Sequence, residues 1–169
     1  MPVAWRDVLY TVLGHDPGDL RAAFSIANGE VDKDGNPTHD WSMETGGGIA
    51  VSTALLEKVS SKFGVDVVPI RFRERKTLLD NVGIIVPVLA IVHPVKDDGS
   101  RGYGPQHAIT LTNATNDTYR MANVSGGDVL ASRSDLESRS GVEIVRPEGG
   151  AYRYALYDGG YGWTAKMPD

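Results

Sequence analysis

His107 and Asn123 are the two residues whose types and spacing point most directly to chemistry. They lie in two short alternating runs, HAITLT (107–112) and TYRMANV (118–124), joined by the polar turn NATND. That pattern predicts a β-hairpin. If Thr112 faces Thr118, His107 lies directly opposite Asn123, and cross-strand partners share one face with Cβ atoms about 4.5–5.5 Å apart. The Asn amide oxygen can then accept from one imidazole nitrogen and fix the tautomer, leaving the other nitrogen to act as a base. A one-residue slip would send one of the side chains to the other face. A base needs a nucleophile, and the chain has no cysteine, which excludes a thiolate nucleophile, a thiolate zinc site and disulfides. Ser42 and Thr45 lie in a loop from which a hydroxyl could reach, whereas Ser52 and Thr53 are expected a turn inside a helix, with Oγ on the helix surface.

A second feature is ETGGGIAVSTALLEKV (44–59), where Gly46, Gly47 and Gly48 run into an amphipathic helix. Glycines there let a phosphate, a carbonyl or another backbone come close. No Gly-Lys-Ser/Thr follows, so a P-loop is excluded. DKDGNPTHD (32–40) invites a calcium reading, but Gly35 is fourth and Met43 twelfth where an EF-hand needs Gly sixth and Glu twelfth. A solvated turn around Asp34-Gly35 is the expectation. His15, His39 and His93 show no ligand spacing, a site from His39, Asp40 and His107 would need the fold to gather them, and no metal or cofactor is expected.

The elements that must position these residues follow from periodicity. Trp5, Val8, Leu9, Val12 and Leu13 form one helical face closed by Gly14. Asp16 and Pro17 read as the cap and first residue of a second helix, striped by Leu20, Ala23, Phe24 and Ala27 and ended by Asn28-Gly29. Residues 29–46 read as a long polar loop, of a kind often functional. The third helix is expected over 49–63, burying Val51, Leu55, Leu56, Val59 and Phe63, with Gly64 as its stop. The period then becomes two. Val68, Ile70 and Phe72 alternate with Arg71 and Arg73, and VPVLAIVHP (86–94) reads as a strand buried on both faces. Residues 77–81 allow a helical turn, KDDGSRGYG (96–104) a hairpin-type connection, 134–138 a short helix and GVEIV (141–145) a strand. YRYALYDGGYGW (152–163) reads as a hairpin or arm. Helices first and strands after imply one α+β domain over 1–169: N-terminal helices on an antiparallel sheet, with a lead-in over 1–46, a core over 47–125 and the aromatic tail over 150–169.

The order of these motifs resembles the papain-like peptidase fold, most closely the bacteriocin-processing (double-glycine) peptidases and their relatives. Those enzymes carry Cys-Gly-x-Ala at the head of a helix, a Pro-Val-hydrophobic strand, a His at the start of a strand, and an Asn or Asp about one hairpin later. Here GGIA (47–50), PVLAIVHP, GPQHAITLTN and YRMANV occupy that order over roughly residues 40–125. The resemblance implies His107 as the base and Asn123 as its orienting residue. It puts Gly47 where the nucleophile belongs. The family's oxyanion-stabilising Gln falls near Asp40 and Trp41, where no Gln stands and a carboxylate would oppose the chemistry. It therefore implies a degenerate cleft that binds a peptide or partner protein without turnover, with Asp40, Trp41, Gly46, Gly47, Gly48, His107 and Asn123 as its ligand-binding residues. A hydrolase using Ser42 or Thr45 instead, and a structural subunit of a viral particle, are the alternatives.

Composition bounds the partners. The chain has 169 residues, 41% of them hydrophobic, enough for a real core. Its net charge of -5, with no basic stripe, argues against nucleic acid. The longest apolar stretch, Val82 to Val92, is interrupted by Gly83 and Pro87 and falls short of a membrane span. Asp7 breaks any signal-like N-terminal run, so a cytoplasmic location or incorporation in a viral particle is expected, and the N-x-S/T triplets at Asn113, Asn116 and Asn123 read as chance matches. Tyr152, Tyr154, Tyr157, Tyr161 and Trp163 have the composition of an interface, including one in a homo-oligomer.

Overall fold

The computed structural model describes residues 1–39, 41, 52–104, 106–125 and 127–167. It is α+β, as expected. Among the described residues three helices come first: α1 (Pro2–Leu13), α2 (Arg21–Ala27) and α3 (Thr53–Ser61). Gly14 ends α1 in the left-handed region and donates its N–H to the Tyr10 carbonyl at 2.9 Å. Asp16 does not cap α2. Its carboxylate accepts from the Gly18 N–H at 2.9 Å and Gly18 sits at φ 88°, so the chain turns once before the helix begins. The Ser52 hydroxyl caps α3 by accepting from the Leu55 N–H at 3.1 Å. Ser52 and Thr53 thus stand at the helix head rather than a turn inside it, and the helix ends before Phe63. No helix among the described residues is long and apolar enough to cross a membrane.

The sheet comprises β1 (Val67–Phe72), β2 (Val88–Val95), β3 (His107–Thr115), β4 (Thr118–Val124), β5 (Gly127–Ser132), β6 (Val142–Val145), β7 (Ala151–Leu156) and β8 (Gly160–Ala165), with α4 (Arg75–Asp80) and α5 (Arg133–Glu137) between strands. The order is β1-β8-β2-β3-β4-β5, every pairing among the described residues is antiparallel, and β7 joins β2 and carries β6 outside it. Strand β5 has no counterpart in the sequence reading. Its outermost place leaves Leu130 exposed and blurs its alternation.

Strand β2 is central and divides two apolar layers. On one face Leu89, with Ala108 of β3 and Trp163 of β8, lies beneath α1–α3, whose Trp5, Leu9, Phe24, Leu56 and Val59 are buried. There the Trp5 indole N–H donates to the Ser60 hydroxyl at 2.8 Å, which satisfies the one polar atom of a fully buried ring. On the other face Val88, Ala90 and Val92 join Ile109, Leu111, Met121 and Leu156 beneath Leu78 and Leu79 of α4 and Leu136 of α5. Each such side chain contributes about 1.5–3 kcal/mol on burial, so one continuous strand anchors both layers.

The tail is neither a hairpin nor a free arm. Val92 pairs with Leu156, and Leu89 pairs with Trp163. Strands β7 and β8 therefore lie end to end along β2, with a bend at 157–159. Arg75 holds that bend: its Nε donates to the Leu156 carbonyl at 2.8 Å and its Nη1 meets the Asp158 carboxylate at 2.5 Å. This buried guanidinium comes from far away in the chain, which a local Gly-Gly signal does not reveal.

Candidate functional site

His107 and Asn123 do come together, though not as the hairpin reading expected. The register pairs Thr110 with Ala122, Leu111 with Met121 and Thr112 with Arg120, while Thr115 meets Thr118. The strands thus continue past Thr112 to a tighter turn with a bulge, two residues off the expected pairing. A shift of two preserves faces. Asn123 then leaves the extended conformation. Its φ of 68° is the only positive value among the described non-glycine residues, and the β4–β5 register breaks between Met121 and Val124. This left-handed step aims the Asn123 carbonyl at the imidazole, and His107 Nε2 donates to it at 2.5 Å. A carbonyl can only accept, so Nε2 carries the proton. The Asn123 side chain points elsewhere: its Nδ2 donates to the Ala108 carbonyl at 2.8 Å. The amide therefore holds the turn, and the backbone, not the side chain, orients the histidine.

The head of α3 lies on the other face of the sheet. The Thr53 hydroxyl accepts from the Trp163 indole N–H at 2.9 Å, within the layer that contains Leu89 and Ala108. His107 pairs with Val92 and alternates with Ala108, so it shares the face of Ile109 and Leu111. Neither Thr53 nor the capping Ser52 is placed to be its nucleophile. Asp40, Ser42, Thr45, Gly46, Gly47 and Gly48 lie outside the described residues. Trp41 is buried in the core, with its ring centroid 5.4 Å from Phe24 and 5.6 Å from His39. No acceptor among the described residues reaches its Nε1.

What surrounds His107 is aromatic. Its ring stacks on Tyr154 with centroids 5.4 Å apart and planes at 15°. Tyr154 meets Tyr152 edge-on at 5.0 Å, and the Tyr152 hydroxyl accepts from the Ser125 N–H at 3.1 Å. These tyrosines line a cavity of about 580 Å³ at the end of β2, together with Pro94, Tyr103 and Arg146. Tyr103 is 93% exposed. Lys96 Nζ sits 5.1 Å from its ring centroid, and the Arg146 guanidinium sits 4.6 Å from that of Tyr152. The wall depends on close approach. A Cβ on Gly102 would come within 3.3 Å of Pro94, and one on Gly141, at φ 69°, within 2.1 Å of the Tyr154 carbonyl. Arg153 fixes that second turn by donating to the Ser140 and Gly141 carbonyls at 2.8 and 3.0 Å.

The tail aromatics divide. Tyr152 and Tyr154 line the cavity. Tyr157 accepts from Gln106 Nε2 at 2.6 Å and Arg101 Nη2 at 3.1 Å, beside His93 at 4.7 Å between ring centroids. Trp163 is buried, with the partly exposed Tyr161 stacked on it at 6.0 Å. Lys96, Tyr103 and Arg146 were not singled out by sequence reasoning. The signal for Tyr103 was the GYG context, which leaves an aromatic with nothing to bury it. No group of three metal-ligating side chains occurs among the described residues. The Asp32 carboxylate in the loop with calcium-like spacing accepts from the backbone N–H groups of Asp34 and Asn36, both at 2.9 Å, and so closes its own turn. Comparison with protein-family models, with curated proteins and with solved structures gives no match to this chain.

Proposed function

We propose that this protein is a binding module that holds a segment of peptide or partner protein in the cavity beside His107, on a papain-like scaffold that no longer performs hydrolysis. The observation that carries this reading is the use made of His107. Its Nε2 proton is committed to the Asn123 carbonyl and its ring is stacked on Tyr154, so the imidazole backs a tyrosine that lines the cavity. The scaffold is supported by the order of motifs and by an α+β fold with helices on an antiparallel sheet. Loss of turnover is supported by the lack of cysteine and by Gly47 where that order puts the nucleophile. Concave, mostly pre-formed, aromatic-lined spaces are where small ligands and peptide side chains bind.

The test is selection of a random heptapeptide display library on the immobilised full chain. Enriched peptides are then synthesised and measured against Tyr103→Ala and Arg146→Ala variants. Binding that weakens in both variants, with peptides intact by mass spectrometry after long incubation, is the expected result. Cleavage of the bound peptides would show an enzyme, and affinity unchanged in both variants would move the site elsewhere.

A further inference from the structure

The charges at the cavity mouth run against the charge of the whole chain. The protein carries a net charge of -5. The cavity is lined by three cations, Lys96, Arg146 and Arg153, and two carboxylates, Asp97 and Glu143, so its own formal balance is positive. The cations differ in their engagements. Arg153 is tied to the Ser140 and Gly141 carbonyls. Lys96 and Arg146 instead lie over the faces of Tyr103 and Tyr152, and no ion pair holds either one among the described residues. Each keeps N–H donors for an acceptor beyond the ring, and the guanidinium offers a fork that suits a carboxylate. The two cation–aromatic pairs thus offer an aromatic surface and an anion-binding edge in the same space.

Resting on the reading of this cavity as the binding site, we infer that it selects peptide segments in which an acidic residue neighbours an aromatic one, the carboxylate meeting Lys96 and Arg146 and the ring lying against Tyr103 and Tyr152. Complementary charge steers encounter and rejects wrong partners, which suits a cationic mouth on an otherwise acidic surface. An aromatic neighbour supplies the apolar contact that a lone carboxylate lacks.

The experiment titrates acetyl-Tyr-Glu-amide and acetyl-Tyr-Gln-amide into the isotopically labelled full chain and follows backbone amide shifts. The expected result is that both probes shift amides of residues 94–104 and 143–154. The Glu peptide should bind roughly threefold to tenfold more tightly in low salt. That advantage should shrink in high salt, as screening requires, and vanish in a Lys96→Gln, Arg146→Gln double variant that keeps the wild-type spectrum elsewhere. Equal affinity for the two peptides would overturn the acidic preference while leaving the cavity as the binding site. Inorganic phosphate shifting the same amides with equal affinity would assign the edge to free anions and overturn the peptide claim. No cavity shift with either peptide would remove the binding-site reading itself.

Discussion

Replacing Asn123 by Asp separates two accounts of the histidine pair. If the Asn side chain oriented His107 by accepting a proton, Asp would accept at least as well and the fold would tolerate it. The structure makes the opposite prediction, because Asn123 Nδ2 is a donor to the Ala108 carbonyl at 2.8 Å. An ionised Asp has no proton to give and would set a carboxylate against that carbonyl. Loss of one hydrogen bond is worth about 0.5–1.5 kcal/mol, and leaving the part-buried carbonyl unsatisfied adds to that, so about 2 kcal/mol is the expected cost. For a chain of this size each kcal/mol moves Tm by about 2–4 °C, which gives a fall of about 4–8 °C at pH 7. Asn123→Ala loses the same bond and also places a methyl side chain at φ 68°, at a further cost of about 1–2 kcal/mol. Asn123→Gly loses the bond but accepts that φ and should be the mildest of the three. The assay is thermal unfolding at pH 7, repeated under acid conditions where the Asp protonates, regains a donor and recovers part of its deficit relative to wild type. An Asp variant as stable as wild type at pH 7, beside a destabilised Ala variant, would refute the donor role and restore the side chain as the orienting group.

Three further outcomes follow from the packing. Gly141→Ala places a Cβ 2.1 Å from the Tyr154 carbonyl at φ 69°, so the β6–β7 pairing must shift; a loss of more than about 3 kcal/mol in chemical denaturation is expected, and a near-neutral result would mean the turn is not held as described. Arg75→Met removes the donor to the carbonyl of buried Leu156 and should cost about 1–3 kcal/mol, with Arg75→Lys recovering only part of it. Burial, and then the negative charge of Asp128, raise the Asp7 carboxyl above its ordinary range. With a folded pKa above the unfolded one, its contribution to stability is fully present below the ordinary carboxylate range and is lost as pH rises through the raised value. Asp7→Asn should therefore be more stable than wild type at pH 7, with the difference closing as pH falls to about 3; a difference that does not change with pH would show that the charge is not the cause.

The parts of the fold that were legible are those where local period and burial agree. The stripe from Trp5 to Leu13 gave α1, the nearly continuous apolar run at 86–94 gave the central strand, and HAITLT and TYRMANV gave β3 and β4. Less legible was whatever distant contacts decide. The Gly-Gly at 159–160 resembles a hairpin turn until Arg75 ties Leu156 and Asp158 in place. Asp16-Pro17 looks like a helix start until Gly18 takes a left-handed step. The turn falls at 116–117, and with the bulge between Asn113 and Thr115 the net register stands two residues from the expected one, which kept His107 and Asn123 near each other but changed which atoms meet. The cavity was hidden for a topological reason. Lys96 and Tyr103 lie in one connection, Arg146 just beyond β6 and Tyr152 on β7, and only the attachment of β7 to β2 gathers them.

The most direct test of the binding account is to locate a bound peptide. A selected heptapeptide bearing a photoreactive phenylalanine analogue is irradiated with the full chain, and the crosslinked residues are read by tandem mass spectrometry. The account predicts attachment within residues 94–104 and 143–154, at the cavity that Tyr103, Tyr152 and Tyr154 line. Attachment confined to α1–α3 or to β5, with the cavity residues unlabelled, would contradict it.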